Sequence, residues 1–301
     1  FLMIRRPPRS TPLYSAAASD VYKRQEVKNL IIAFRGWHDA GESATTALKY
    51  IVRDLDADKI LDIDPEEFFD FSQQRPVVRS TESGNRTIIW PQNELFLAGT
   101  QPDDNQILAF LGTEPNLKWK TFASIITDLC EAWGVDNVIQ LGALMDAVPH
   151  TRETKISGSS TEPNIQNILT SHQIQRSTYQ GPTGITTAIS TALNQKGIHY
   201  TSIWGHTPHY LQAAPNHQIS YQIVSFINRI LNLNIDLKPL KTAEEHFLSE
   251  LQKVILDDDQ IGDYVKNLET RYDEVSSDTP LPEPSDLLSE LEEYLKNRPQ
   301  N

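Results

Sequence analysis

The chain has 301 residues, 39% of them hydrophobic and 22% charged, with a formal net charge of −13. That acidity argues against a nucleic-acid partner, since phosphate binding needs a basic surface, and against docking on an anionic membrane. The single cysteine, Cys130, cannot form an internal disulfide, which fits a reducing cytoplasm, and no apolar run approaches the length of a membrane span.

Residues 1–25 read FLMIRRPPRSTPLYSAAASDVYKRQ. Arg5-Arg6-Pro7-Pro8-Arg9 interrupts the place where a signal peptide needs a longer apolar segment. The stretch resembles translated sequencing-adapter read-through and is expected to be either that or a disordered leader, outside the fold in both cases. Its five basic residues against Asp20 carry +4, which leaves −17 on the remainder.

From Asn29 onward the pattern is regular. Leu30 to Phe34 is a short buried strand, and residues 41–54 read as the helix after it. Residues 87–90 and 95–98 are short strands around a Pro91-Gln92-Asn93 turn. Ile107 to Leu111 is another buried strand, closed by Gly112. Trp119, Phe122, Ile126, Leu129, Cys130 and Trp133 then fall on one helical face, with Gly134 as the stop. The apolar strand 138–144 follows, then a loop rich in Ser and Gly. A helix over 186–195 ends at Gly197, 200–204 is a strand, and 220–231 is one more amphipathic helix.

Apolar strands alternating with amphipathic helices predict an α/β fold of three layers, with helices on both faces of a largely parallel sheet. The boundaries are an α/β domain over 26–240 and an acidic helical extension over 241–301. The extension holds sixteen Asp or Glu against six Lys or Arg. It contains helices near 243–256 and 261–272, a Pro-rich spacer over 279–284, and a last short helix carrying Leu287, Leu291 and Leu295.

Chemistry-bearing residues gather where strands end, and in a doubly wound sheet those ends share one edge. Trp37, His38 and Asp39 follow the first strand: the glycines there allow close backbone approach, and His38 and Asp39 suit proton transfer, whereas Asp39 alone suits a helix cap. Glu114 in Gly112-Thr113-Glu114-Pro115 is either a base, a sugar-hydroxyl ligand or a turn cap. Asp146, His150 and Arg152 follow the strand 138–144. Arg152 has the fork for a carboxylate or phosphate and His150 titrates near neutrality, unless the loop is tied down by its own salt bridges.

Gly181 and Thr183 in Gly181-Pro182-Thr183-Gly184 precede a helix: Thr183 or the loop amides suit an anion, or the segment is a rigid turn with a helix cap, and no lysine follows as a P-loop requires. His206 and His209, three apart at another strand exit, are weak metal-ligand spacing, and no metal or other cofactor is expected. The G-x-S-x-G, G-x-G-x-x-G and H-E-x-x-H patterns are absent from the sequence. The strand-exit residues are therefore expected to converge on one crevice.

Five blocks in order carry a family resemblance: Gly36-Trp37-His38-Asp39-Ala40-Gly41; Gly112-Thr113-Glu114-Pro115 with Trp119; Leu141 to Arg152; Tyr179 to Gly184; and Trp204 through Pro208-His209-Tyr210. Tyr264-Val265 with Leu268-Glu269 extends the match. The chain resembles the proteasome assembly chaperone 2 family, in its bacterial, actinobacterial-type branch, from about Leu30 to Leu295. The resemblance implies an α/β/α fold similar to that of nucleoside phosphorylases, often in homo-oligomers. Eukaryotic members help assemble the proteasome α-ring, and some archaeal relatives bind proteasomes through a hydrophobic-tyrosine-any tail. This sequence has no such tail, ending Asn297-Arg298-Pro299-Gln300-Asn301, and it carries His38 where relatives usually have Asn.

Two functions follow as expectations. The first is a homo-oligomeric binding or assembly protein, with a proteasome-related or other protein partner contacting its strand-exit loops and acidic tail. The second is an enzyme or small-ligand binder related to nucleoside phosphorylases or hydrolases, with Arg152 holding an anion and Asp39, Glu114 or Asp146 holding a sugar or base.

Overall fold

In this computed structural model, residues 27–81, 84–99, 106–177, 179–211 and 214–275 are described. The proposed leader and the expected helix near Leu287 to Leu295 lie outside the described residues. The elements run β1 (Asn29–Arg35), α1 (Ser43–Asp54), β2 (Asp58–Asp62), β3 (Val77–Ser80), β4 (Arg86–Ile89), β5 (Glu94–Ala98), β6 (Ile107–Thr113), α2 (Trp119–Trp133), β7 (Asn137–Asp146), β8 (Ile156–Ser160), α3 (Pro163–Ser171), α4 (Ile185–Gln195), β9 (His199–Pro208), α5 (His217–Leu231), α6 (Lys238–Leu256) and α7 (Asp259–Val275).

Seven strands form one sheet in the order β2-β5-β6-β1-β7-β9-β8. The four central strands, β6, β1, β7 and β9, are parallel; β5 and β8 flank them antiparallel, and β2 pairs antiparallel with β5, which returns it to the central direction. β1 is buried on both faces, which explains its unbroken apolar run. Its side chains alternate between two cores: Leu30, Ile32 and Phe34 pack with α2 and α4, while Ile31 and Ala33 pack with α1 and α5. These are the three layers expected from the sequence.

The strands over 87–90 and 95–98 exist but serve different sheets. β4 pairs only with β3, in a separate hairpin, while β5 joins the main sheet between β2 and β6. Val77, Val78 and Ile88 of that hairpin are exposed among the described residues. α2 spans the expected residues, and Gly134 closes it in the left-handed conformation at φ 69°, which costs a glycine little.

Chain order sets where the functional end lies. β1 leads to β6 on one side, and the next crossover returns through α2 to β7 on the other. The carboxyl ends of β1 and β7 therefore flank the point where the winding direction reverses, where α/β sheets open a crevice.

The acidic C-terminal helices pack on the body. α6 buries Leu240 and Glu244, and α7 buries Val265 and Leu268.

Candidate functional site

The carboxyl end of the sheet is built first by the turn after β1. Gly36 takes φ 137°, and a Cβ there would sit 3.1 Å from Glu114 Cβ, so glycine suits both the backbone and the close approach. The turn folds Trp37, His38 and Asp39 across β7, where Ala143 N donates to His38 O at 2.8 Å. Asp39 then points at the start of α1. Its Oδ1 accepts from the amides of Ala44 at 2.8 Å and Thr45 at 3.1 Å, and its Oδ2 accepts from the Thr45 hydroxyl. Asp39 thus caps a helix. Burial raises its pKa above the usual carboxylate value, and the Thr45 and Ala44 hydrogen bonds only partly offset this.

His38 is buried, with 1% of its surface exposed. Phe34, Trp37 and Trp204 surround its ring at centroid distances of 6.5, 6.1 and 6.4 Å. Its Nε2 lies 3.2 Å from Glu114 Oε1. The pair is within ionic range but misaligned, so neither ring nitrogen has a hydrogen-bond partner among the described residues. Glu114 Oε1 also accepts from Ile185 N, in the first turn of α4, at 2.9 Å. Burial works against the Glu114 carboxylate, but His38 and the amides of Ile185 and Trp37 outweigh it and hold its pKa below the ordinary value.

Beside Glu114, at the exit of β6, a depression of about 340 Å³ is lined by Arg35, Gly36, Asp70, Gln73, Glu114 and Trp119, among others. The Tyr179–Gly184 loop lies elsewhere along the His38–Glu114 pair, with Gly184 packed against both side chains. Tyr179 OH donates to Pro182 O at 3.1 Å, and the Thr183 hydroxyl bonds to that of Thr187. Gly181 lies under the Tyr179 ring, where a Cβ would meet the hydroxyl at 2.4 Å. Tyr179 and Trp37 are neighbours at 6.4 Å between rings, and both are exposed.

A second cluster lies toward β9 and β8. Asp146 Oδ2 is 2.7 Å from His206 Nδ1, and His206 Nε2 is 2.8 Å from Ser157 Oγ. Burial again opposes the Asp146 charge, but His206, Lys155 at 3.4 Å and the Ala147 amide hold its pKa below the usual range. The Asp146 carbonyl receives the His209 ring Nδ1 at 3.0 Å, and His209 Nε2 meets Tyr264 OH of α7 at 2.7 Å. His150 Nδ1 is 2.6 Å from Tyr210 OH, and burial lowers the His150 pKa more than the charge of Glu269 raises it.

Arg152 is committed to α7. It makes two hydrogen bonds to Asp273, at 2.9 and 2.7 Å, and an ion pair with Glu269 at 3.3 Å. The strand-exit residues therefore form two centres. His38, Glu114 and the Tyr179–Gly184 loop make one; Asp146, His206, His209, His150 and Arg152 lie in the other, next to α7. No group of three or more potential metal ligands occurs among the described residues.

Sequence reasoning missed Ser157, which sits in a stretch read as loop, and Tyr264 and Asp273 as the partners of His209 and Arg152. Ile-Ser-Gly-Ser-Ser over 156–160 carries no apolar alternation, so no local signal marked Ser157. Tyr264 and Glu269 were legible only through the family resemblance.

The model of the PAC2 family matches residues 33–255. A PAC2 family protein from Streptomyces avermitilis is 27% identical, with a TM-score of 0.69 over 79% of this chain and 99% of that one. The proteasome-assembly chaperone homologue of Mycobacterium tuberculosis is 29% identical, with a TM-score of 0.70 over the same shares, 79% and 99%. A Corynebacterium glutamicum protein is 26% identical, with a TM-score of 0.76 over 87% and 97%. No curated protein matches the chain. With three crossed layers, the expected strand-exit blocks and a match over most of its length, this chain belongs to the PAC2 family.

Proposed function

We propose that this protein acts as a proteasome-assembly-chaperone-like binding protein whose strand-exit end docks onto a protein partner. The observation that carries the reading is the apolar rim of that end. Trp37 is 62% exposed, Met145 50% and Tyr179 47%, while Arg152, His206 and His209 are engaged inside the chain. Large exposed aromatic side chains are the residue types that dominate protein interfaces. The likeness to the mycobacterial proteasome-assembly chaperone homologue points to a proteasome-related partner. Purified proteasome α-type subunits, titrated against the full chain by biolayer interferometry, test this. Saturable binding that Trp37→Ala weakens supports it, and no binding to any α-type subunit counts against it.

The same reading takes the protein as a homo-oligomer, with the exposed apolar residues of the β3–β4 hairpin as the contact. Sedimentation velocity should give an assembly that Val78→Asp with Ile88→Asp dissociates, and a monomer at every concentration would rule this out.

A second reading rests on the depression beside Glu114, whose 340 Å³ falls in the range of small-ligand sites. A thermal-shift screen of nucleosides, phosphate and amino acids tests it. A ligand whose stabilising effect disappears in Glu114→Gln would favour a ligand-binding role, and a flat panel would oppose it.

A further inference from the structure

Asp146, Ser157 and His206 lie on β7, β8 and β9, which are neighbours at one side of the sheet. Their contacts run in one line, 2.7 Å from Asp146 Oδ2 to His206 Nδ1 and 2.8 Å from His206 Nε2 to Ser157 Oγ. The chemistry of the three groups sets the proton positions. An ionised carboxylate only accepts, so Nδ1 carries a proton; in neutral imidazole Nε2 is then the acceptor, and the serine hydroxyl donates to it. A serine whose proton faces a basic ring nitrogen, with that ring oriented by a buried carboxylate, has the arrangement of an activated nucleophile.

Among the described residues, the Ser157 hydroxyl has its one hydrogen bond to His206. The three residues are 5 to 7% exposed, so a substrate needs the cover to move. That cover is α7. Its Tyr272 hydroxyl donates to Glu153 O at 3.2 Å, just before β8, and lies close enough to Asp146 for that charge to help raise its pKa, after burial and Glu153. The first half of α7 is anchored by buried Val265 and Leu268 and by Tyr264 on His209. Its C-terminal half is tied by two solvent-exposed contacts, Arg152 to Asp273 and Thr151 to Glu269. Exposed pairs of this kind hold weakly, and a helix end so attached can open without unfolding the sheet.

We propose that Ser157, His206 and Asp146 form a serine acyl-transfer site for carboxylic esters, closed by α7. Ser157 Oγ bonds to the ester carbonyl carbon while its proton passes to His206 Nε2. The carbon–oxygen bond to the alcohol then breaks, and the departing oxygen takes that proton. Water, deprotonated by His206, attacks the acyl-serine; the acid leaves and Ser157 regains its proton. Asp146 is a positioning residue that fixes the imidazole tautomer. This inference is independent of the protein-docking reading.

The full chain, treated with a fluorophosphonate probe, tests the proposal; displacement of fluoride by the serine oxygen leaves a stable adduct that peptide mass mapping locates. One adduct per chain on Ser157 is expected, absent in Ser157→Ala of unchanged circular dichroism. His206→Gln should slow labelling at least about 100-fold. Arg152→Ala, which releases the C-terminal half of α7, should speed it several-fold. Asp146→Ala should lose labelling and Asp146→Glu recover part of it, although both melt alike. No Ser157 adduct in either the native chain or Arg152→Ala would overturn the proposal, as would labelling indifferent to His206→Gln. Equal labelling of the two Asp146 variants would overturn the positioning role.

Discussion

Gly184→Ala probes the most tightly packed point of the strand-exit end. Gly184 has φ −102° and ψ −178°, an extended backbone that alanine adopts without strain. Any effect is therefore steric. A Cβ there would sit 2.0 Å from His38 Nε2, 2.6 Å from its Cδ2 and 3.0 Å from Glu114 Oε1. The His38 ring is 1% exposed and enclosed by aromatic neighbours, so it has nowhere to turn. Overpacking of this kind costs about 1–3 kcal/mol. Loss of glycine freedom in the unfolded chain returns about 0.4–1 kcal/mol. Because the contact falls on a fixed ring, the upper part of the range applies, and a net destabilisation of about 2 kcal/mol is expected. For a chain of this size that lowers Tm by about 4–8 °C. His38→Ala removes the clashing ring, so the double variant should be more stable than the sum of the two single effects allows, by about 1 kcal/mol or more. Calorimetric melting of the four proteins measures this cycle. A Gly184→Ala protein melting within about 1 °C of the parent, or strict additivity, would refute the packing argument.

Asp39→Ala removes the acceptor of two amides and one hydroxyl at the start of α1 and should cost about 1–2 kcal/mol in urea unfolding. A change below a few tenths would deny the capping role. Burial lowers the His150 pKa, and that of His217, below 6.5. The unfolded chain therefore binds protons first as pH falls. Stability should decline as pH drops below about 6.5 and level off once the folded-state values are passed. His150→Gln should shallow that decline below about pH 6.5, and an unchanged slope would mean that burial does not depress the His150 pKa. Cys130 is buried, which pushes its thiol up to about 12. It should resist a disulfide reagent in the native state and react on unfolding; fast native reaction would contradict its place on α2.

The parts of the fold legible in the sequence were those buried on both sides. β1, β6 and β7 announced themselves as apolar runs, and α2 through its stripe from Trp119 to Trp133 and the stop at Gly134. β2, β3 and β8 were silent, because strands at the sheet edge or in the exposed hairpin carry no sustained apolar pattern. α3 had a readable start, with Glu162 capping Ile165 N at 2.6 Å and Pro163 in the first turn. In the site, the strand exits located His38, Glu114, Asp146 and His206 on one edge of the sheet. They did not tell that, rather than face a ligand, His209 and Arg152 would be taken up by α7. Its partners His209 and Arg152 lie more than fifty residues before Tyr264 and Asp273, and charge patterning along α7 marks a solvated helix without naming the surface it meets.

The central claim is that the strand-exit end binds a protein partner through its exposed aromatics. The most direct measurement is the affinity of the full chain for purified proteasome α-type subunits, compared with that of Trp37→Ala and Tyr179→Ala. Truncating an aromatic at the centre of an interface costs about 2 kcal/mol or more, so each variant should bind at least about 30-fold more weakly while melting close to the parent. Binding that both variants retain in full would place the interface elsewhere, and no binding by the parent chain would contradict the claim itself.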